Sequence, residues 1–217
     1  MVLFAQPVTP LALLLALYMV LTLGQPVTSA AGDAEQKELV EKSRMTLDGF
    51  LADSNMGWFR DHMKEASGIF IVPQLLKAAF FFGGEGGSGV FLVKDDKTGE
   101  WSDPAFYTMR AGSFGFQFGA QASEFVLLVM SQRGVESLLT STFKLGGDIS
   151  VAVGPVGAVI ATRDEWNRDY YGTEVRPTDI LVRRAVTNPQ TAGLKAALAL
   201  AAKGKASAGQ TSTFVPE

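Results

Sequence analysis

The chain has 217 residues, 19 basic and 22 acidic, with 47% of positions apolar, no cysteine and one histidine. That is enough chain for one domain with a sizeable core, and the lack of cysteine excludes disulfides, thiolate metal sites and cysteine nucleophiles. The slight acidic excess argues against a dedicated nucleic-acid binder, which needs a basic surplus, and a single His62 removes most His-based zinc sites.

Leu11 to Leu23 (LALLLALYMVLTL) is an apolar run too short for a comfortable membrane span. Small residues follow in VTSAAGDA, which fits cleavage after Ala30 or Ala31. Residues 1–31 therefore read as a signal peptide, with an uncleaved anchor or a buried helix as alternatives. No Lys or Arg precedes Lys37, so the n-region carries only its terminal amine. The first reading implies export, to the periplasm or cell envelope.

Asp33 to about Asp53 is helical in pattern, with Val40, Leu47, Phe50 and Leu51 on one stripe among charged neighbours. Asn55 is placed to cap a second short helix carrying Met56, Phe59 and Met63. After Ser67-Gly68 the texture becomes that of strands. GIFIV, closed by Pro73, then AAFFF, VFLVK, AFYTM, GSFGFQFGA and EFVLLVM follow in order, with a short helix near Gly134 to Leu139, then DISVAVG and GAVIAT. DDKTGEW between VFLVK and AFYTM reads as a hairpin turn, with Gly99 at positive φ. EFVLLVM is apolar on both faces, which predicts a central, fully buried strand. GSFGFQFG and DISVAVG each carry one bulky and one small face, so something packs closely on the small side.

These elements predict an α+β fold: a mainly antiparallel, strongly curved sheet or an incomplete β-barrel, with N-terminal helices packed on it and a C-terminal helix. Residues 33–190 form the main domain. Residues 191–217 are an Ala-rich helix and a frayed tail.

The chemistry is sparse. Gly83, Gly84, Gly86, Gly87 and Gly89 lie in GGEGGSG, which contains a literal G-x-G-x-x-G, with Asp103 near the distance expected of a ribose-binding acid. A dinucleotide fingerprint needs a helix after the glycines, whereas VFLV follows here. The remaining readings are a hairpin connection whose glycines take positive φ, or a run of N–H groups holding a lipid phosphate. His62 has no advertised partner and no G-x-S-x-G elbow exists, so no catalytic residue is assigned. Asp95-Asp96 sits in a turn that favours Asp for its own reasons, and no metal site or cofactor is expected. Trp58 and Phe59 beside Arg60 and Lys64 could sit at a membrane interface, or Phe59 could pack inward with Trp58 half-covering the sheet. Lys77 is a lone base in an apolar run, placed to snorkel out or to meet a headgroup phosphate.

The text from Asn55 to Arg184 resembles the SYLF lipid-binding domain family: NMGWFRDHMKEASGIFIVPQLLKAAFFFGGEGGSGVFLVKDDKTGEWSDPAF, then GSFGFQFGAQASEFVLLVMSQRGVESLL, FKLGGDISVAVGPVG and NRDYYGTEVRPTDILVRR. The resemblance implies phospholipid binding, with phosphoinositide and actin association in eukaryotic members and exported envelope proteins among bacterial ones. One departure stands out. After Gly157 only AVIATRDEW leads to Asn167, where family members carry an extra helix and strand. A sheet that lost a strand would expose an edge, here expected near residues 157–165, open to homo-oligomerisation.

The expectation is thus a non-enzymatic, exported phospholipid-binding protein that meets anionic headgroups through Arg60, Lys64, Lys77 and Arg110, with Trp58, Phe59 or a crevice in the sheet taking the acyl region. Nucleic acid is excluded and actin is an unlikely partner. The alternative is a structural or protein-interaction domain using the exposed edge.

Overall fold

A computed structural model describes residues 30–79, 83–113, 119–140, 142–144 and 158–203. Gly32–Glu217 forms one compact unit. The proposed signal segment at residues 1–29, the core of GSFGFQFG, all of DISVAVG and the tail from residue 204 lie outside the described residues.

Helix α1 (Ala30–Ala52) places Gln36, Leu39, Val40, Ser43, Thr46, Leu47 and Leu51 on one buried stripe at three- and four-residue spacing. Its outer face carries the ion pairs Glu38–Lys42, Glu41–Arg44 and Arg44–Asp48. A 3₁₀ turn (Ser54–Met56) leads into helix α2 (Gly57–His62). Asn55 does not cap α2, which starts from Met56 without a side-chain cap; Asp53 caps the 3₁₀ turn instead, its carboxylate accepting from the Asn55 N–H at 2.8 Å. A carboxylate two residues upstream reaches that N–H, whereas Asn55 already lies inside the turn.

Six strands form one antiparallel sheet: β1 (Gly68–Ala79), β2 (Gly83–Val93), β3 (Ala105–Ser113), β4 (Gly119–Val129), β5 (Thr142–Lys144) and β6 (Val159–Thr162), in the order β4-β1-β2-β3-β6-β5. Among the described residues the sheet is open and does not close into a barrel. GIFIV and AAFFF are not separate strands. β1 runs through Pro73, because an extra residue at Pro73-Gln74 forms a bulge against both neighbours: Ile71 pairs with Val90 and Leu76 with Gly86, while Val72 pairs with Phe125 and Leu75 with Ser123. A bulge is where a central strand tolerates a residue without an N–H.

Alternation sorts the sheet into two faces. Ile69, Ile71, Val90, Leu92 and Phe106 face a layer made by α1, α2, helix α4 (Asp164–Tyr171) and helix α6 (Ala192–Ala202). Phe70, Phe91, Tyr107, Met109 and Phe125 face the other way, toward helix α3 (Gln132–Leu138), helix α5 (Pro177–Leu181), Phe143 of β5 and Ile160 of β6. Both faces are therefore covered. This explains why EFVLLVM reads as doubly apolar yet is not central: β4 pairs only with β1 among the described residues. A strand needs cover on two faces, not two neighbours, to be apolar throughout. Conversely, residues 159–162 form β6, paired on both sides, so the edge expected near residues 157–165 is not there.

The β2–β3 turn and the short helix after β4 form as expected. Gly99 turns the β2–β3 hairpin at φ 73°, and Asp95 accepts from the N–H groups of Lys97 and Thr98 at 2.9 Å. Ser131 caps α3 through the Gly134 N–H. No helix among the described residues is long and apolar enough to cross a membrane.

Candidate functional site

The glycine run is neither a loop nor a nucleotide cradle. Gly83 to Gly89 are part of β2, paired with β3 from Gly83↔Ser113 to Gly89↔Tyr107, and the positive-φ glycines among the described residues are Gly99 and Gly172. What Gly87 and Gly89 supply is the absence of a side chain. A Cβ on Gly87 would lie 2.3 Å from the Gln74 carbonyl oxygen, and one on Gly89 2.5 Å from that of Ile71. The bulged β1 backbone leans onto β2, and only glycine permits that approach. Asp103, the acid at fingerprint distance, is buried and occupied elsewhere. It accepts from the Thr191 hydroxyl, the Asn188 N–H and the Lys195 ammonium, pinning the start of α6 to the β2–β3 connection.

The six predicted lipid-contact residues do not converge. Phe59 is buried with Phe50 edge-on at 5.6 Å. Trp58 does not cover the sheet: it is 59% exposed and stacks on His62 at 4.2 Å, while His62 Nδ1 bonds the Trp58 carbonyl at 2.7 Å. Arg60 is spent on the chain itself, donating to the carbonyls of Leu51, Asp53 and Ser54 where α1 ends. The Asp53 carbonyl also accepts from the Met56 N–H at 3.1 Å, and the guanidinium joins this turn to the last turn of α1 by reaching several carbonyls at once. Lys64 lies past the end of α2 and is exposed. Lys77 pairs across the sheet with Glu85, and its column, with Leu75 and Ala111, belongs to the Phe70 face. Arg110 follows Phe106 and Thr108 onto the opposite, α1-facing side.

Arg110 alone among the six lines a cleft of about 640 Å³ between α1 and the sheet. Leu76, Gly86 and Ser88 form its floor, α1 one wall, and Arg163 and Trp166 its end. β3 fixes that end: the Arg163 N–H donates to the Phe106 carbonyl at 2.9 Å, and the Phe106 N–H donates to Asn167 Oδ1 at 2.8 Å. The Arg163 guanidinium lies 3.5 Å over the Trp166 ring and donates to Ser88 Oγ at 2.8 Å. Burial lowers its pKa from the ordinary guanidinium value; Arg110 lowers it further, and Glu35 and Glu165 oppose this. Two arginines thus share one cleft, and Arg110 makes no ion pair with the described residues. The other charges on the walls are Glu35 and the Glu38–Lys42 pair, joined at 2.7 Å.

Sequence reasoning missed Arg163, Ser88 and Trp166. Signals for them existed. Arg163 and Trp166 stand three apart at a helix start, and Ser88 shares the parity of Val90, the α1-facing side of β2. No group of His, Asp and Glu able to hold a metal occurs among the described residues.

Comparison with known proteins agrees with the text of the chain. The family model Ysc84, described as "Las17-binding protein actin regulator", matches residues 110–161 and 156–201. The two pieces meet at the short connection after Gly157 where the sequence reading placed a missing stretch. "LAS seventeen-binding protein 3" of Saccharomyces cerevisiae is 38% identical over 98 residues, covering 45% of this chain and 21% of that protein. "Protein YSC84" of the same yeast is 38% identical over 96 residues, covering 44% and 20%. "SH3 domain-containing YSC84-like protein 1" of Bos taurus is 27% identical over 150 residues, covering 54% and 43%. The chain thus spans about a fifth of the yeast relatives' length. No solved structure matches. The motifs quoted from the sequence, the family match from the end of β3 through β6 to the C-terminal helices, and these relatives make the chain similar to the Ysc84, or SYLF, family over residues 110–201.

Proposed function

We propose that this chain is a non-enzymatic binding domain that takes the anionic headgroup of a phospholipid in the α1–sheet cleft. The observation that carries the reading is the pairing of Arg110 with Arg163 beside the Ser88 hydroxyl. Two guanidinium groups in one half-dry cleft repel each other, and a phosphate between them would turn that repulsion into two charge-assisted contacts. The names of the relatives are those of binding and regulatory proteins, which fits a role without bond-breaking. Arg60 drops out of the headgroup set because its donors are committed to α1. An exported location rests on the Leu11–Leu23 run, and mass spectrometry of the chain's N-terminus after secretion tests it.

Vesicle flotation of the full chain tests the headgroup reading. Recovery should rise with anionic lipid and fall with salt. Replacing both Arg110→Gln and Arg163→Gln should reduce partitioning by roughly tenfold or more. Equal recovery on neutral and anionic vesicles would remove the reading.

A second reading is supported by the printed family description and by the β4 edge, which has one partner strand among the described residues. A protein segment could add to that edge as a further strand. On this reading a protein partner is the ligand, and the expectation that actin is an unlikely partner finds no support in the relatives' names. Concentration-dependent self-association without lipid, measured by sedimentation, would favour it.

A further inference from the structure

The cleft does not end at its arginines. A second cavity of about 540 Å³ lies beside it, walled by Met45 and Thr46 of α1 and by Ala122, Ser123 and Glu124 of β4. The two cavities have Lys42, Pro73 and Gln74 in common. They therefore run end to end beneath α1, from Glu35 to Met45, a helix length of about 15 Å. The shared residues on the sheet side are those of the β1 bulge, so the irregularity that demands Gly87 also forms the passage.

Polarity changes along this trough. At one end stand Arg110, Arg163 and Ser88. Toward the other, the lining turns to Leu76, Pro73, Met45 and Ala122, and the one carboxylate there, Glu124, accepts from the Thr46 hydroxyl at 2.6 Å. Leu76 is 55% and Met45 60% exposed, and each lines one of the two cavities. Single exposed apolar side chains are ordinary, but two on the walls of one trough, with both arginines in its far half and the shared Lys42 ion-paired to Glu38, match a ligand charged at one end and apolar along the rest.

From this we infer that the trough holds a single-chain phosphate-ester amphiphile as a monomer. Its phosphate lies between Arg110 and Arg163, and its chain lies along α1 over Leu76, past Pro73, to Met45. This rests on the headgroup reading and adds that the ligand leaves the bilayer. The single chain follows from the apolar lining, which runs in one file over Leu76, Pro73, Met45 and Ala122, with Glu35, Glu38, Ser123 and Glu124 among the other wall residues.

Titration of the full chain with oleoyl lysophosphatidate below its micellar concentration, and with glycerol 3-phosphate, tests the inference. Lysophosphatidate should bind one to one and roughly a hundredfold or more tighter than glycerol 3-phosphate. Met45→Gln should weaken lysophosphatidate by about tenfold, leaving glycerol 3-phosphate binding and flotation on phosphatidate vesicles unchanged, and Leu76→Asn, on the floor of the headgroup cleft, should weaken lysophosphatidate by a similar factor. Both side chains are exposed, so circular dichroism should stay that of the parent, and Met45→Leu should restore the affinity. Salt-sensitive vesicle binding without any advantage of lysophosphatidate over glycerol 3-phosphate would overturn the trough while leaving the headgroup reading intact. Binding of neither phosphate ligand nor anionic vesicles would overturn both.

Discussion

The β1–β2 hairpin has two halves that share the same two strands yet have opposite characters. From Gly68 to Val72, facing Val90 to Val93, the residues Ile69, Phe70, Ile71, Val90, Phe91 and Leu92 are all at most 1% exposed. Past Pro73, facing Gly83 to Gly87, Leu76 is 55% exposed, Gly86 lines the cleft floor, and the neighbouring strand presents Arg110. One extra residue divides them. The bulge flips the parity of β1, so that Val72 and Leu75 both join the Phe70 face, and the glycines opposite remove the side chains that would fill the space. The first half makes the core; the second makes the room for a ligand. A sheet thus builds a site without a loop, by an insertion in one strand and omission of side chains in the next.

The comparison can be broken from its core side first. Phe91→Ala should cost about 4 kcal/mol in chemical denaturation, whereas Leu76→Ala should change stability by less than about 0.5 kcal/mol. Similar losses for the two would mean that the halves are not distinct. Next comes the close approach. Gly87→Ala should destabilise by about 2 kcal/mol, because its Cβ would meet a backbone oxygen that cannot rotate away. Gly86→Ala, one residue earlier, would bring its Cβ to 3.4 Å from the Met109 carbonyl oxygen, an ordinary contact, and should be near neutral. If the order were reversed, the leaning of β1 onto β2 would be wrong.

Tyr107, paired with Gly89, reports on the closed half by pH. Burial, and next to it the charge of Asp164, push its phenol well above the ordinary value near 10. The folded chain keeps this proton while the unfolded chain releases it, so its contribution is fully present below about pH 10 and is lost as pH rises beyond it. By pH 11 the loss should be about 1.4 kcal/mol, with no phenolate absorbance from Tyr107 before unfolding. Tyr107→Phe should remove its share of that slope, the partly buried Tyr171 keeping its own, and leave the Leu138 carbonyl without its 2.8 Å donor. Smallest is Arg60→Met. It should cost about 1 kcal/mol through the freed carbonyls at the end of α1, with anionic-vesicle recovery unchanged; a marked fall in recovery would return Arg60 to the headgroup set.

Several features were readable before any coordinates. The α1 stripe, the turn at Gly99 and the inward Phe59 each follow from patterns spanning a few residues. The failures came wherever a distant partner set the outcome. Pro73 reads as a strand end because its lost N–H argues against a central strand, and only pairing with β2 and β4 reveals the bulge that accommodates it. Arg60 reads as a free cation beside Trp58 because nothing in GWFRDH shows the carbonyls of Leu51 and Asp53 folding back beneath it. Of the predicted cations only Arg110 lines the cleft, and the partner that gives it meaning, Arg163, comes from a different strand–helix junction.

By itself, the order of side chains determined the helical stripe of α1, which sides of 69–72 and 90–93 are apolar, and the turn at Gly99, since these depend on steric preference and alternation along a short length of backbone. The three-dimensional arrangement alone decided that the glycines serve a neighbouring backbone, that β1 continues through a proline, and that two arginines far apart in the chain share one cleft. Those outcomes depend on distances between strands, and no local pattern encodes a distance to a residue it does not contain.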